Sequence, residues 1–96
     1  MMAGYDDVCR LLREACGDGI YPDWYHMEAM ISWVQQNIDK GRAMQIRLHG
    51  VDEIGERCRV TAIVDGLSHG ALYDDVPLAV AALIAQIHMS RKKVQP

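Results

Sequence analysis

Arg57-Cys58-Arg59-Val60-Thr61-Ala62-Ile63-Val64-Asp65-Gly66-Leu67-Ser68-His69-Gly70-Ala71-Leu72-Tyr73 is the stretch that decides the fold. Cys58, Val60, Ala62 and Val64 recur at every second position, with Arg57, Arg59 and Thr61 between them, which is the period of a half-buried strand. Asp65-Gly66 is a two-residue hairpin signal, because a type I′ turn needs positive φ at both central positions. Such a turn sets Val64 opposite Leu67. It predicts a second strand with Leu67, His69, Ala71 and Tyr73 on the core face and Ser68, Gly70 and Leu72 on the back.

Upstream, Ala43 to His49 reads as a third strand, with Met44, Ile46 and Leu48 alternating with Gln45, Arg47 and His49. The link from Gly50 to Glu56 is acidic and turn-rich, with Gly50 and Gly55 as hinges. The back of such a sheet exposes Gln45, Arg47, Arg57, Arg59 and Thr61. Downstream, Asp74-Asp75-Val76-Pro77 opens a helix: aspartates suit the cap, and proline is tolerated in the first turn, where its missing donor is not needed. Val80, Leu83, Ile84 and Ile87 define the core face of that helix, and alanines at 79, 81, 82 and 85 allow close packing. Arg91, Lys92 and Lys93 close it, where positive charge complements the macrodipole.

Two helices precede the sheet. The first covers Asp6 to Cys16, with Asp6 or Asp7 as N-cap, Gly17 as its C′ residue, and Val8, Leu11, Leu12 and Ala15 as its stripe. Gly17-Asp18-Gly19-Ile20-Tyr21-Pro22 is loop chemistry. The second runs from Trp24 to Lys40, with Asp23 as N-cap and Gly41 past its end. Met27, Ile31, Val34 and Ile38 form its stripe. Trp33 lies about 130° and Tyr25 about 150° from the centre of that stripe. The second helix therefore has another apolar face, Tyr25, Ala29 and Trp33 with Met30 on its shoulder. Either the first helix or another protein chain must cover it. The expected fold class is α+β: a three-stranded antiparallel sheet packed against helices, in the order α-α-β-β-β-α.

The chain has 96 residues, half of them apolar, which suits one domain over residues 1–96 with a core that needs no staple. Three cysteines without a CxxC argue against a disulfide framework or a zinc site. Cys9 and Cys16, seven residues apart on one helix, stand about 10.5 Å apart, beyond disulfide reach. The opening residues lack the basic and apolar regions of a secretion signal, and the apolar stretch from Val76 to Ile87 falls short of the about 20 residues that span a bilayer. A cytoplasmic protein without membrane association is the expectation. Net charge is −3 but uneven. Acids dominate residues 1–39, and Lys40, Arg42, Arg47, Arg57 and Arg59 make residues 40–59 basic.

No catalytic motif stands in the chain. His26, His49, His69 and His88 fall on different elements, without the i, i+4 spacing of helical metal ligands. His26 and Glu28 form an H-x-E, but the P-C-x-x-C that completes a zinc deaminase site is absent. Cys58 points into the core, where a thiol is inert. No metal, cofactor or catalytic residue is expected. Two surfaces remain. Tyr21, Trp24, Tyr25 and Trp33 concentrate aromatic residues, which dominate binding hot spots when exposed; Tyr25, Ala29, Met30 and Trp33 are the expected protein interface. Arg47, Arg57 and Arg59 form a face able to meet phosphates or carboxylates, with Glu53 and Glu56 as neutralising neighbours. Net acidity and the lack of aromatics on that face speak against nucleic acid.

Val60-Thr61-Ala62 through Leu72-Tyr73-Asp74-Asp75-Val76-Pro77-Leu78-Ala79-Val80-Ala81-Ala82-Leu83, paired strands leading into a helix of alanine and leucine, resembles the carboxyl half of small phage proteins called phage ABA sandwich domains. The chain departs from that pattern in its long amino-terminal helical part and in lacking tryptophan in the strands. The resemblance implies an accessory phage or prophage protein and transfers no functional residues. The expectation is a non-enzymatic protein-binding module of phage or prokaryotic origin, an inhibitor of a host protein of the anti-CRISPR kind being one form. The alternatives are nucleic-acid or anionic-ligand binding through the arginine face, or a homodimer held through the second helix.

Overall fold

The hairpin forms as its sequence dictates. In the computed structural model, which describes residues 4–52 and 55–94, β2 (Gly55–Val64) and β3 (Leu67–Tyr73) pair antiparallel with Val64 opposite Leu67. Asp65 and Gly66 have φ of 55° and 78°, the paired positive values of a type I′ turn. β1 (Gln45–Asp52) pairs antiparallel with β2, giving the strand order β1-β2-β3, and its register shifts between His49 and Asp52. Strand β1 thus begins two residues later than expected and runs on through Gly50, which is a strand residue and not a hinge. Gly55 opens β2 in the same way. Glu53 lies outside the described residues.

Cys58, Val60, Ala62 and Val64 are all buried on one face of the sheet. Against them lies α3 (Val76–Val94), whose first intrahelical bond runs from the Ala79 amide to the Asp75 carbonyl at 3.0 Å. Every residue from Ala79 to Ala85 is buried, and so is Ile87. Those seven consecutive positions make about two turns, so no side of the helix faces water there. The sheet covers one side through β2 and β3, and α1 and α2 cover the others.

Helix α1 (Tyr5–Cys16) buries Val8, Leu11 and Leu12. It starts at Tyr5, one residue before the expected Asp6, and its N-cap is Gly4, without a side-chain bond, not Asp6 or Asp7; the two aspartates occupy the first turn, where negative charge suits the helix dipole. Its stop is as expected. The Gly17 amide bonds the Arg13 carbonyl at 2.9 Å, and a φ of 117° requires glycine there. Across its outer side, Glu14 accepts from Lys92 Nζ at 3.0 Å, from His88 Nε2 at 3.2 Å and from Arg10 at 3.0 Å. Lys92 first and then His88 hold its carboxyl down at about 2.

The second helix is shorter than its periodicity predicted. Trp24–His26 is a single 3₁₀ turn, α2 proper spans Met27–Asn37, and Ile38 is already extended. The cause of the early stop is Asp39. Its amide donates to the Ile63 carbonyl at 2.9 Å, and its carboxylate accepts the amides of Asp65 and Gly66, each at 2.8 Å. The residue that would continue the helix is instead the clasp of the hairpin turn. Arg91 joins the same node from α3. It donates to Asp65 at 2.8 Å and to Asn37 Oδ1 at 2.6 Å, with its guanidinium 6.0 Å from the centre of the Trp33 ring. Arg91 and Lys92 therefore have specific partners beyond the helix dipole.

Two expectations about the sheet's inner face fail at its margins. Ile46 and Leu48 share that face with Val60 and Cys58 in register, yet are 42% and 71% exposed. Helix α3 packs on β2 and β3 and does not extend over β1. On β3, Ala71 is buried and His69 and Tyr73 half-buried, whereas Leu67, next to the turn, is exposed.

Asp39→Ala removes a charged acceptor from two backbone amides, and a loss of about 1–3 kcal/mol in unfolding free energy by urea titration is expected. Glu14 has its folded pKa depressed from 4.5 to about 2. Its carboxylate therefore adds stability above pH 4.5 that disappears as pH falls towards about 2. The urea midpoint of the wild type should drop across that window, and Glu14→Gln should flatten the drop.

Candidate protein-interaction surface

The loop from Gly17 to His26 is pinned from inside and aromatic outside. Pro22 is buried, Ile20 packs against the core, and the Asp23 amide bonds the Tyr21 carbonyl at 2.9 Å. Asp23 has an extended backbone, and one carboxylate oxygen takes both the His26 amide at 3.0 Å and His26 Nδ1 at 2.8 Å. This cap holds the 3₁₀ turn that separates the loop from α2. The His26 ring stands between Tyr21, 5.7 Å away, and Tyr25, 5.0 Å away in an edge-on arrangement.

The outcome is a display of aromatic rings. Tyr21 is 46% exposed, Trp24 68% and Tyr25 89%. Tyr5, at the start of α1, is also exposed and shares with Tyr21 a hollow of about 490 Å³. The Cys9 thiol beside it pushes the Tyr5 phenol up from its usual value, with a smaller contribution from Asp23. Four of the six aromatic residues are thus exposed on these two neighbouring segments, while Trp33 and Tyr73 are half-buried against the core. Aromatic side chains provide large contact area for little ordering entropy, and single exposed apolar residues do not gather this way by chance.

The expected interface residues divide. Tyr25 and Ala29 are exposed. Trp33 is half-buried beside Arg91, which covers part of the face left to α1 or to another chain; α1 packs chiefly on α3. Met30 is a correction: it is 0% exposed and belongs to the core with Met27 and Val34, so it is unavailable to a partner. Its place follows from helical spacing: Met30 stands three residues after Met27 and four before Val34, on the flank of the core stripe. Trp24 and Tyr21 are the residues that the helical reading under-weighted. The signal for them was Asp23, whose cap position could close a turn as well as open a long helix.

The arginine face is real in part. Arg47 and Arg59 are exposed and stand opposite each other in the β1–β2 register, and neither makes an ion pair among the described residues. Arg47 donates to Gln45 at 3.4 Å. Arg57 is half-buried, with Nε 3.8 Å from Asp74 Oδ1 and no hydrogen-bond partner at that atom. Among the described residues no group of three histidine, cysteine or acidic side chains is placed to hold a metal ion. Burial pushes the Cys58 thiol up, and Cys16 up to about 11, which leaves both poor nucleophiles. Burial lowers the His69 pKa. No helix among the described residues is long and apolar enough to cross a membrane.

The chain matches no protein-family model, no curated protein and no solved structure.

Substitution should separate display from core. Trp24→Ala combined with Tyr25→Ala is expected to change unfolding free energy by no more than about 0.5 kcal/mol each, as for surface sites. Met30→Ala should cost about 2–5 kcal/mol. Both are read by urea denaturation.

Proposed function

We propose that this chain is a non-enzymatic protein-binding module that occupies a surface of a partner protein through the aromatic display of Tyr21, Trp24 and Tyr25. The observation that carries this reading is the exposure of Trp24 and Tyr25 on a turn that Asp23 and the buried Pro22 hold in place. Binding through pre-positioned rings loses little conformational entropy, so most of the buried area is available to affinity. Blocking a host protein, as a small phage-encoded inhibitor of the anti-CRISPR kind does, asks for nothing beyond such a scaffold and anchor. The resemblance of the closing hairpin and helix to phage ABA sandwich domains supports an accessory role of that origin.

A second reading rests on Arg47 facing Arg59. Like charges opposite each other on neighbouring strands repel, and an anion between them relieves that repulsion. Binding of this kind weakens steeply with salt, and Arg47→Ala with Arg59→Ala abolishes it.

The test is capture from bacterial lysate on the tagged protein, with and without nuclease, read by mass spectrometry. One stoichiometric protein that survives nuclease and is lost with Trp24→Ala/Tyr25→Ala is the expected result. Capture of nucleic acid alone, or of the same proteins by both forms, overturns the aromatic reading.

A further inference from the structure

The sheet carries its helix α3 on the face of Cys58, Val60, Ala62 and Val64. Arg59 and Thr61, between them on β2, and their register partners on β1 and β3 take the other face. Two neighbouring rows run across its three strands. One is Arg47, Arg59 and Leu72, and the next is Gln45, Thr61 and Gly70. Arg47, Arg59 and Gly70 are exposed, and Leu72 and Thr61 are half-buried. Neither row contains an acid. Arg57, also on this face, has Asp74 at 3.8 Å, whereas Arg47 and Arg59 make no ion pair among the described residues. Gly70 adds a bare spot beside this unanswered charge. Its backbone lies outside the left-handed region, and a β-carbon there would meet Thr61 Cγ2 at 3.5 Å and the Val60 carbonyl at 3.7 Å, both ordinary contacts. The fold thus has room for alanine at a position where glycine weakens a strand. What the missing side chain provides is a surface on which another backbone can come close.

We propose, building on the anion reading of Arg47 and Arg59, that this face receives an acidic amphipathic helix of a partner protein. Docked there, the helix completes a helix–sheet–helix sandwich. Its charge is dictated by the unpaired arginines, and its spacing fits them. Residues opposed on neighbouring antiparallel strands stand about 4.5–5.5 Å apart, and side chains at i and i+4 of a helix about 5–6 Å apart. Two carboxylates one turn apart give each arginine its own acceptor and remove the repulsion between the two. Small residues of the same helix settle on Gly70 and Thr61, and a larger apolar one meets Leu72. Nucleic acid suits the face less well. Neither row offers an aromatic ring to a base. A long polyanion also meets the whole chain's net charge of −3, whereas a helix with a few acids meets the local arginines. The face is distinct from the aromatic display, so loss of one leaves the other in place.

The probe is a fluorescein-labelled helical peptide of alanine and leucine with glutamates at i and i+4 along one face. The full chain is titrated into it and binding is read by fluorescence anisotropy, in about 150 mM salt, where charges beyond about 8 Å are screened. The same peptide with glutamine for glutamate and a labelled single-stranded oligonucleotide run beside it. Saturable binding of the glutamate peptide is expected, about tenfold weaker for the glutamine peptide and for Arg47→Ala/Arg59→Ala, and unchanged for Trp24→Ala/Tyr25→Ala. Gly70→Leu, which fills the bare spot without touching charge, should weaken it by a similar factor, with folding checked by circular dichroism. Should Gly70→Leu unfold, Thr61→Phe supplies the same block. Preference for the oligonucleotide through the same arginines overturns the proposal and leaves the anion reading standing, while binding of neither probe overturns both. Peptide binding that survives loss of the arginines, or that ignores both blocking substitutions, overturns the proposal as well.

Discussion

Everything in this fold answers to a helix with no polar side. From Ala79 to Ala85 α3 offers water nothing, so it must be walled in all round. One wall is the sheet, whose inner face supplies Val60, Ala62 and Val64. The others are α1, with Val8 and Leu12, and α2, with Met30 and Val34. Alanine at four of the seven positions lets those walls come close without voids, and the larger Val80, Leu83 and Ile84 fill the angles between them. The core contains no fully buried polar or charged residue among the described ones, so nothing in the interior itself selects one arrangement of the walls.

Selection comes from the rim. At one end Asp39, Asp65, Asn37 and Arg91 join the tail of α2, the hairpin turn and the end of α3. Along the outer side Glu14 gathers Arg10, His88 and Lys92 and fixes α1 against α3. Each such contact is modest in water. Their value lies in geometry, since a helix slid by one turn would leave several of these groups unmatched at once.

The strands, the turn and the last helix were legible because their signals are local. A period of two, an Asp-Gly pair and a cap followed by proline each specify their element without outside help. The end of α2 was not legible, because Asp39 stops the helix by a contact with residues 65 and 66, which lie far along the chain. The exposure of Ile46 and Leu48 was hidden for a related reason. Alternation shows which face a residue takes but not how far the covering helix extends. For the surface, Tyr25 and the arginine pair Arg47 and Arg59 could be read from the sequence. Trp24 was obscured by a helix register that begins three residues later than its periodicity suggests.

Since the innermost element is also the last of those described to be synthesised, the order of manufacture runs against the order of need. While the first five elements emerge from the ribosome they have only each other's flanks to bury, and the apolar faces of α1, α2 and the hairpin remain wet until α3 arrives. No amino-terminal fragment can hold a core of its own. Folding must then await the emergence of that helix and proceed as one cooperative event.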